Sequence, residues 1–207
     1  MRTVVVTGAS GNLGRAVAGA FAADKVVALD VKTGVDLLDA NSIRAALEKL
    51  ERVDVLCNLA GGFRMGSPVH ETSDRDWDFL FDLNARTVLN MSRAVVPMML
   101  EAGGGKIVNV GAFAAQKGAA QMGAYVASKS AVIRLTEAMA AELREKNINV
   151  NCVLPTIIDT PENRAAMPDA DPRRWVDPRA LADVVFFLAS DAARAIHGAA
   201  LPVTGLS

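Results

Sequence analysis

The stretch that decides the fold is Thr7-Gly8-Ala9-Ser10-Gly11-Asn12-Leu13-Gly14, which follows an apolar run and leads into a helical pattern. Its three glycines allow a tight turn, a close backbone approach to a ligand and close helix packing. Amide groups at the start of the helix then face an anion such as a pyrophosphate. Because the turn joins the first strand to the first helix, it predicts a dinucleotide site formed by Gly8, Ser10, Gly11, Asn12, Leu13 and Gly14. The alternative is a tight turn without a ligand.

Apolar, β-branched runs alternate with helical patterns along the rest of the chain. We predict strands over residues 3–7, 26–30, 53–58, 106–110, 149–154 and 199–204. Each run is continuous, which is typical of parallel strands that are covered on both faces. Parallel neighbours need helical crossovers, so the sequence predicts one α/β domain over residues 1–207. Its core would be a Rossmann-type doubly wound parallel sheet with helices on both faces.

Composition narrows the class of protein. The chain has 207 residues, 51% of them hydrophobic, and a net charge of −1, which gives little attraction for nucleic acid or an anionic membrane. The two cysteines lie in apolar runs and lack the spacing of a metal site or a redox pair, so we predict no metal. The first residues enter a strand directly, without a signal sequence, and no apolar run could span a bilayer. We expect a cytoplasmic protein that acts on a small molecule.

Asp30 ends the second predicted strand. A carboxylate there can accept both ribose hydroxyls of NAD and repels the 2′-phosphate of NADP, so we predict NAD, with NADH preferred over NADPH. Val31 follows where an arginine could have neutralised a phosphate, although Lys32 comes next. Asp36 and Leu37 are expected beside the adenine. A capping or surface role for Asp30, and a solvated loop position for Asp36, are the alternatives.

Tyr125 and Lys129 lie four residues apart in YVASK, on one face of a predicted helix. A free phenol has a pKa of about 10, and a nearby ammonium group lowers it towards neutrality. Such a phenol could donate and accept the proton of a reacting oxygen, and the lysine could also bind the nicotinamide ribose. Tyr125 is the only tyrosine of the chain. We predict that the pair is catalytic; the alternative is ordinary helix surface.

Taken together, TGASGNLG, Asp30, NLAGG at 58–62, Asn84, YVASK and the final GAALPVTG resemble the short-chain dehydrogenase/reductase superfamily along the whole chain. The resemblance implies an NAD-binding oxidoreductase. It places Asn58, Ala60, Gly61 and Gly62 on the adenosine side, and Pro155, Thr156, Ile157 and Thr160 around the nicotinamide amide. Asn84 would interrupt its helix and hold a water in a proton relay with Lys129; an amide that caps a neighbouring backbone group is the alternative.

One position departs from the family pattern, because Ala112 stands 13 residues before Tyr125, where the family has a catalytic serine. Residues 159–175 and LCNLAGG resemble dihydropteridine reductases, which also have alanine at this position. On that resemblance we expect a substrate flap at about 155–178, with Met167 and Trp175 over a flat substrate and Phe113 and Met122 in the substrate loops. A generic flap, with Met167 and Trp175 in plain packing, is the alternative.

Three functions therefore compete. The first is NADH-dependent reduction of a quinonoid dihydropterin or a similar flat heterocycle, with Tyr125 as proton donor. The second is a short-chain reductase that acts on an alcohol, ketone or quinone, and the third is an NAD-binding regulatory protein without turnover. The predicted helices 74–101 and 124–146 carry many small and apolar residues. In the resembled family these helices pair across a two-fold axis, which implies a homodimer or homotetramer.

Overall fold

Six strands form one parallel sheet in the order β2-β1-β3-β4-β5-β6 in the computed structural model, which describes residues 1–207. They are β1 (Thr3–Thr7), β2 (Lys25–Leu29), β3 (Val55–Asn58), β4 (Gly105–Val110), β5 (Ile148–Pro155) and β6 (Ala200–Val203). Each lies within two residues of its predicted bounds, so the predicted fold class is confirmed. β1 pairs with β2 on one side and β3 on the other. At this switch point a crevice opens beyond the carboxyl ends of the strands.

Seven α-helices connect the strands: α1 (Asn12–Ala20), α2 (Ala40–Leu47), α3 (Asp74–Phe81), α4 (Thr87–Glu101), α5 (Gly123–Leu143), α6 (Pro161–Ala166) and α7 (Pro178–Leu188). The helix predicted over 74–101 is divided by a π-helical turn, Asp82–Arg86, around the buried Asn84. The helix predicted over 124–146 ends in the 3-10 turn Arg144–Lys146. Immediately after β2 the chain forms a short 3-10 turn, Val31–Thr33, and α2 further along makes the crossover to β3.

Helices cover both faces of the sheet. On one face, Val17 of α1 and Leu181 of α7 belong to the same buried cluster as Val6 of β1. On the other face, Ile43 of α2 and Met91 of α4 pack with Val5 of β1. The continuous apolar strands are therefore buried on both sides, which accounts for their lack of alternation. No helix combines the length and the apolar composition that a membrane span requires.

Candidate active site

The glycine-rich turn is packed so closely that side chains would not fit at two of its positions. Gly8 has a φ of +63°, a conformation that favours glycine. A Cβ on Gly14 would lie 2.2 Å from the carbonyl oxygen of Gly8, so helix α1 can begin directly against the turn only without one. Gly11 caps α1 with an extended backbone and no side-chain acceptor, which leaves the first amide groups of the helix facing outward.

A cavity of about 450 Å³ lies over this turn. All six predicted residues of the turn line it, together with Asp30, Val31, Asp36, Leu37, Ala60, Gly61 and Thr160. Sequence reasoning missed Lys32, Leu38, Leu59, Leu83 and Thr87, which also line the cavity. Leu83 and Thr87 belong to the π-turn and the start of α4, far along the chain from the glycine-rich turn, and only the fold brings them to the cavity. Helix-end amides, a carboxylate and apolar walls in one cavity fit the pyrophosphate, ribose and adenine of a dinucleotide.

Asp30 has two structural roles at this cavity. Its Oδ1 accepts a hydrogen bond from the amide of Lys32 at 2.9 Å, and its Oδ2 accepts one from the amide of Ser10 at 3.1 Å. It therefore caps the short turn after β2 and also fixes the glycine-rich turn. A carboxylate offers about four lone-pair sites, so acceptor capacity remains for ribose hydroxyls. Capping and ribose binding are thus compatible, whereas sequence reasoning treated them as alternatives.

Asn58 does not line the cavity. Its side chain is buried, and its Nδ2 donates to Asn109 Oδ1 at 2.8 Å. Asn109 Nδ2 donates in turn to Thr136 Oγ1 on α5 at 2.9 Å. The Asn58 side chain therefore points into the interior and ties β3 and β4 to α5. Contact with the adenosine side, which the family resemblance implies, would have to come from the backbone of this residue and stays a prediction.

Asn84 joins three parts of the site, and its side chain is fully buried. Its Oδ1 accepts from the Gly62 amide at 2.9 Å, while its Nδ2 donates to the Gly62 carbonyl at 3.1 Å and to Ser128 Oγ at 3.0 Å. Ser128 Oγ donates to the Tyr125 carbonyl at 2.8 Å. The side chain thus holds neighbouring backbone, as in the alternative interpretation, and the water relay stays a prediction.

Ser128 was missed as a positioning residue. It lies between the two predicted catalytic residues, and it is completely buried between Asn84 and the Tyr125 carbonyl. A signal was present in the sequence, because a serine three residues after Tyr125 shares its helical face. The chain Gly62–Asn84–Ser128–Tyr125 connects the loop after β3, the π-turn and α5.

Gly61 connects the dinucleotide cavity to the predicted catalytic residues. It lines the cavity, and a Cβ built on it would lie 3.0 Å from both Asn84 Oδ1 and Lys129 Nζ. The inner end of the cavity therefore lies next to the lysine of the YVASK helix. Any larger residue here would displace either the amide or the ammonium group.

The environment of Tyr125 and Lys129 corrects the predicted pKa effect. Lys129 is 5% exposed, and its Nζ donates to the carbonyl of Val110 at 2.9 Å. Burial lowers the pKa of Lys129 to about 8 and raises the pKa of Tyr125 to about 12. Helical spacing predicted proximity but not burial, and burial is the cause that raises the pKa of the phenol. The phenol is protonated at neutral pH, which suits it to donate a proton.

The residues predicted around the nicotinamide amide lie at the end of β5 and in the segment that follows it, and most of them do not line the dinucleotide cavity. Pro155 ends β5, and the Thr156 amide and hydroxyl donate to Val203 and Thr204 carbonyls at 3.3 and 3.0 Å. The Ile157 carbonyl accepts from Val176, and Thr160 caps α6. Gly62, Pro155, Thr156 and Ile157 lie outside the lining of the dinucleotide cavity.

The four predicted substrate residues also differ in environment. Met167 is half-buried after α6, whereas Trp175 is only 7% exposed, a burial that favours packing. Phe113 is 41% exposed after β4. Met122 lines a separate cavity of about 50 Å³.

A contact that the sequence does not reveal joins the flap to the glycine-rich turn. Asn12 Nδ2 donates to Glu162 Oε2 at 2.7 Å, and Arg15 donates to Asn12 Oδ1 at 2.6 Å. The flap helix α6 therefore lies against the start of α1, where Thr160 completes the wall of the cavity.

Comparison with known proteins agrees with this geometry. A family model described as enoyl-(acyl carrier protein) reductase matches residues 2–205. D-threitol dehydrogenase of Mycolicibacterium smegmatis is 33% identical, with 99% of this chain and 92% of that protein covered. Cyclopentanol dehydrogenase of Comamonas sp. is 37% identical, with 79% and 69% covered. The crystal structure of carveol dehydrogenase from Mycobacterium avium in complex with NAD has a TM-score of 0.89 at 27% identity, with 99% and 96% covered. The chain belongs to the short-chain dehydrogenase/reductase superfamily of NAD(P)-dependent oxidoreductases.

Proposed function

We propose that this protein is an NAD-dependent oxidoreductase that interconverts a small secondary alcohol and its ketone. The observation that carries the proposal is the position of Gly61. This residue lines the dinucleotide cavity, and its Cβ position is 3.0 Å from Lys129 Nζ. A dinucleotide laid along the cavity would thus end beside Tyr125 and Lys129. The relatives named above act, by their names, on alcohols, which supports the same reaction class.

The residues of the chain define the proton chemistry. Bound NADH would supply the two electrons as a hydride to the carbonyl carbon. Tyr125 gives its hydroxyl proton to the carbonyl oxygen, so that a C–H and an O–H bond form and an alcohol results. In oxidation Tyr125 takes that proton back. Lys129, fixed by the Val110 carbonyl, offers its remaining N–H groups to a ribose hydroxyl and stabilises the phenolate that is left.

The direct test is the formation of NADH from NAD⁺ during oxidation of a panel of small secondary alcohols. We expect saturable, enzyme-dependent turnover with at least one of them. If no alcohol on the panel is oxidised with NAD⁺ and none of the corresponding ketones is reduced with NADH, while NADH binding is intact, the proposal is overturned.

Asp30 determines the cofactor preference in this proposal. Asp30→Asn keeps the cap on the Lys32 amide, but it replaces the acceptor for the Ser10 amide by an NH2 group and removes the negative charge from the ribose pocket. We expect the KM for NAD⁺ to rise roughly 10- to 100-fold, because hydrogen bonds to a charged group contribute about 1.5–3 kcal/mol. The KM for NADP⁺ should fall as the repulsion disappears. Asp78→Ala, on the exposed side of α3, is the matched control. If the ratio of the KM for NADP⁺ to the KM for NAD⁺ is the same in wild type, Asp30→Asn and Asp78→Ala, Asp30 does not determine the cofactor preference.

A second candidate function is reduction of a quinonoid dihydropterin or a similar flat heterocycle, and Ala112 favours it. Ala112 is buried in an apolar cluster against which Tyr125 packs, so no hydroxyl stands where the family's serine would. Hydride addition to a conjugated ring delocalises charge, and such a substrate needs no second donor.

Ala112→Ser separates the two candidates. If the substrate is a ketone, the new donor should raise the rate of ketone reduction roughly 10-fold or more, since a positioned donor contributes a few kcal/mol to the transition state. If it is a quinonoid dihydropterin, wild type should consume it with NADH and the variant should gain nothing. Ala114→Ser, two residues along, is the control for the added hydroxyl.

We also infer, from the family resemblance, that two copies pair through the helices of 74–101 and 124–146. This arrangement leaves the cavity of each copy complete, since every residue named above comes from one chain.

A further inference from the structure

The phenol of Tyr125 is packed against an aromatic ring from the loop after β3. The ring centroids of Phe63 and Tyr125 lie 4.8 Å apart at an interplanar angle of 87°. This edge-to-face geometry is a favoured aromatic contact. Phe63 nevertheless remains 54% exposed, so most of its ring is free to contact something else. A second molecule that reaches the Tyr125 hydroxyl has this ring beside it.

The other side of Tyr125 is equally apolar. Tyr125 packs on a buried cluster that includes Ala112, Ala115 and Ile133. Burial alone raises the pKa of the phenol, without a contribution from a charged neighbour. The groups that pack directly on the Tyr125 ring, Phe63 on one side and this cluster on the other, are therefore apolar.

Residues 63–68, after β3, and residues 113–122, after β4, are joined into one wall. The amide of Gly66 donates to the Gln121 carbonyl at 3.0 Å. Three more large apolar side chains are exposed on or next to these loops: Met65, Val69 and Phe113. Single exposed apolar side chains are common and need no explanation, but a cluster of them beside a reaction centre indicates a ligand-binding surface.

Of the two charged side chains on this wall, Lys117 is exposed and Arg64 is already engaged. Arg64 forms an ion pair with Asp76, and its guanidinium group lies 3.7 Å from the centre of the Phe79 ring. Asp76 is held in turn by Ser73 Oγ at 3.0 Å. Binding a substrate carboxylate through Arg64 would require breaking this arrangement, so Arg64 is not an available anchor for an acidic substrate.

We propose that the substrate is an apolar cyclic or aromatic secondary alcohol, or its ketone, with its only oxygen at the reacting carbon. Phe63 is the residue that selects it, through contact with the face of the ring. A polyol would leave several hydroxyls unpaired against Phe63, Ala112 and the rest of the apolar wall, which costs binding energy for each of them. This inference rests on the proposed function, because it concerns the substrate of the same site.

The test compares matched apolar and polar alcohols. With NAD⁺, kcat/KM for cyclopentanol and 1-phenylethanol should exceed that for D-threitol by roughly 100-fold, a discrimination of the size that unpaired polar groups produce. Phe63→Ala should reduce the advantage at least about 10-fold, mainly through KM. Phe187→Ala removes another exposed ring, 42% exposed on α7, and should leave kcat/KM for both kinds of substrate unchanged.

Calorimetry gives a readout independent of turnover. Binding of acetophenone to the protein with NADH should show a negative heat-capacity change, the marker of apolar burial, and Phe63→Ala should weaken this binding. Turnover of D-threitol at or above the rate for cyclopentanol would overturn the inference but leave the proposed reaction intact. No turnover of any alcohol or ketone would instead remove the proposed function on which it rests.

Discussion

Tyr125→Phe should lower kcat by roughly 100- to 10,000-fold, the range expected when a positioned acid–base group is lost. The substitution deletes one oxygen and keeps the ring that packs on Phe63 and on the Ala112 cluster. Folding and cofactor affinity should therefore change little. Steady-state rates with the best alcohol of the panel, together with NADH binding measured by calorimetry, separate chemistry from binding.

The same variant distinguishes an enzyme from an NAD-binding regulatory protein. A regulator needs the cavity but not the hydroxyl, so its response to NADH would survive the change. A kcat within about 10-fold of wild type would show that the proton comes from elsewhere and would remove Tyr125 from the reaction centre. Loss of NADH binding along with turnover would show instead that the hydroxyl itself holds the cofactor, because the ring is still present in the variant.

The fold could be predicted from the sequence because its strongest signals are local. A continuous apolar run, such as that of β3, has to be covered on both faces, and a glycine triplet between a strand and a helix has one common structural use. The interruption at Asn84 came only from the family resemblance. Nothing in the helical periodicity around it reveals the π-turn that buries its amide against Gly62.

Several features of the site depended on tertiary structure. The spacing of Tyr125 and Lys129 placed both on one helical face, but it could not show that the ammonium group is held by the Val110 carbonyl. Burial then reverses the expected pKa change of the phenol. The contact between Phe63 and Tyr125 joins positions 62 residues apart, and no local pattern encodes it.

Lys129→Met should abolish most activity and at the same time stabilise the fold near neutral pH. Lys129 is buried, and its pKa falls from the ordinary 10.5 to about 8. One unit of pKa corresponds to about 1.4 kcal/mol, so holding the ammonium group in the folded protein costs about 3 kcal/mol below pH 8. Methionine fills a similar volume without that cost. We expect kcat to fall roughly 100-fold or more, since the phenolate loses its cation.

The pH dependence of the stability difference isolates this effect. Between about pH 8 and pH 10.5 the unfolded chain holds a proton that the folded wild type has released, so wild-type stability rises with pH in that window. The advantage of the methionine variant should therefore be largest below pH 8 and shrink by about 2–3 kcal/mol towards pH 10.5. Burial also raises the pKa of Cys57 and Cys152, to about 12 and about 11, and of Tyr125. Titration of these three groups lowers the stability of the folded state as the pH rises, and so opposes the effect of Lys129. Both proteins contain them, so their contribution largely cancels in the stability difference between wild type and variant.

Urea unfolding at one protein concentration and several pH values measures this difference, with the exposed Lys146→Met as control. The variant also loses the hydrogen bond to the Val110 carbonyl, which lowers its stability by a similar amount at every pH in the window. This loss changes the size of the stability difference but hardly its dependence on pH. A difference that does not vary with pH would mean that Lys129 keeps its ordinary pKa and is solvated in the folded protein. A solvated ammonium group interacts only weakly with the Tyr125 phenolate, because water screens its charge. The proposal that Lys129 stabilises the phenolate while Tyr125 transfers the proton would then be wrong.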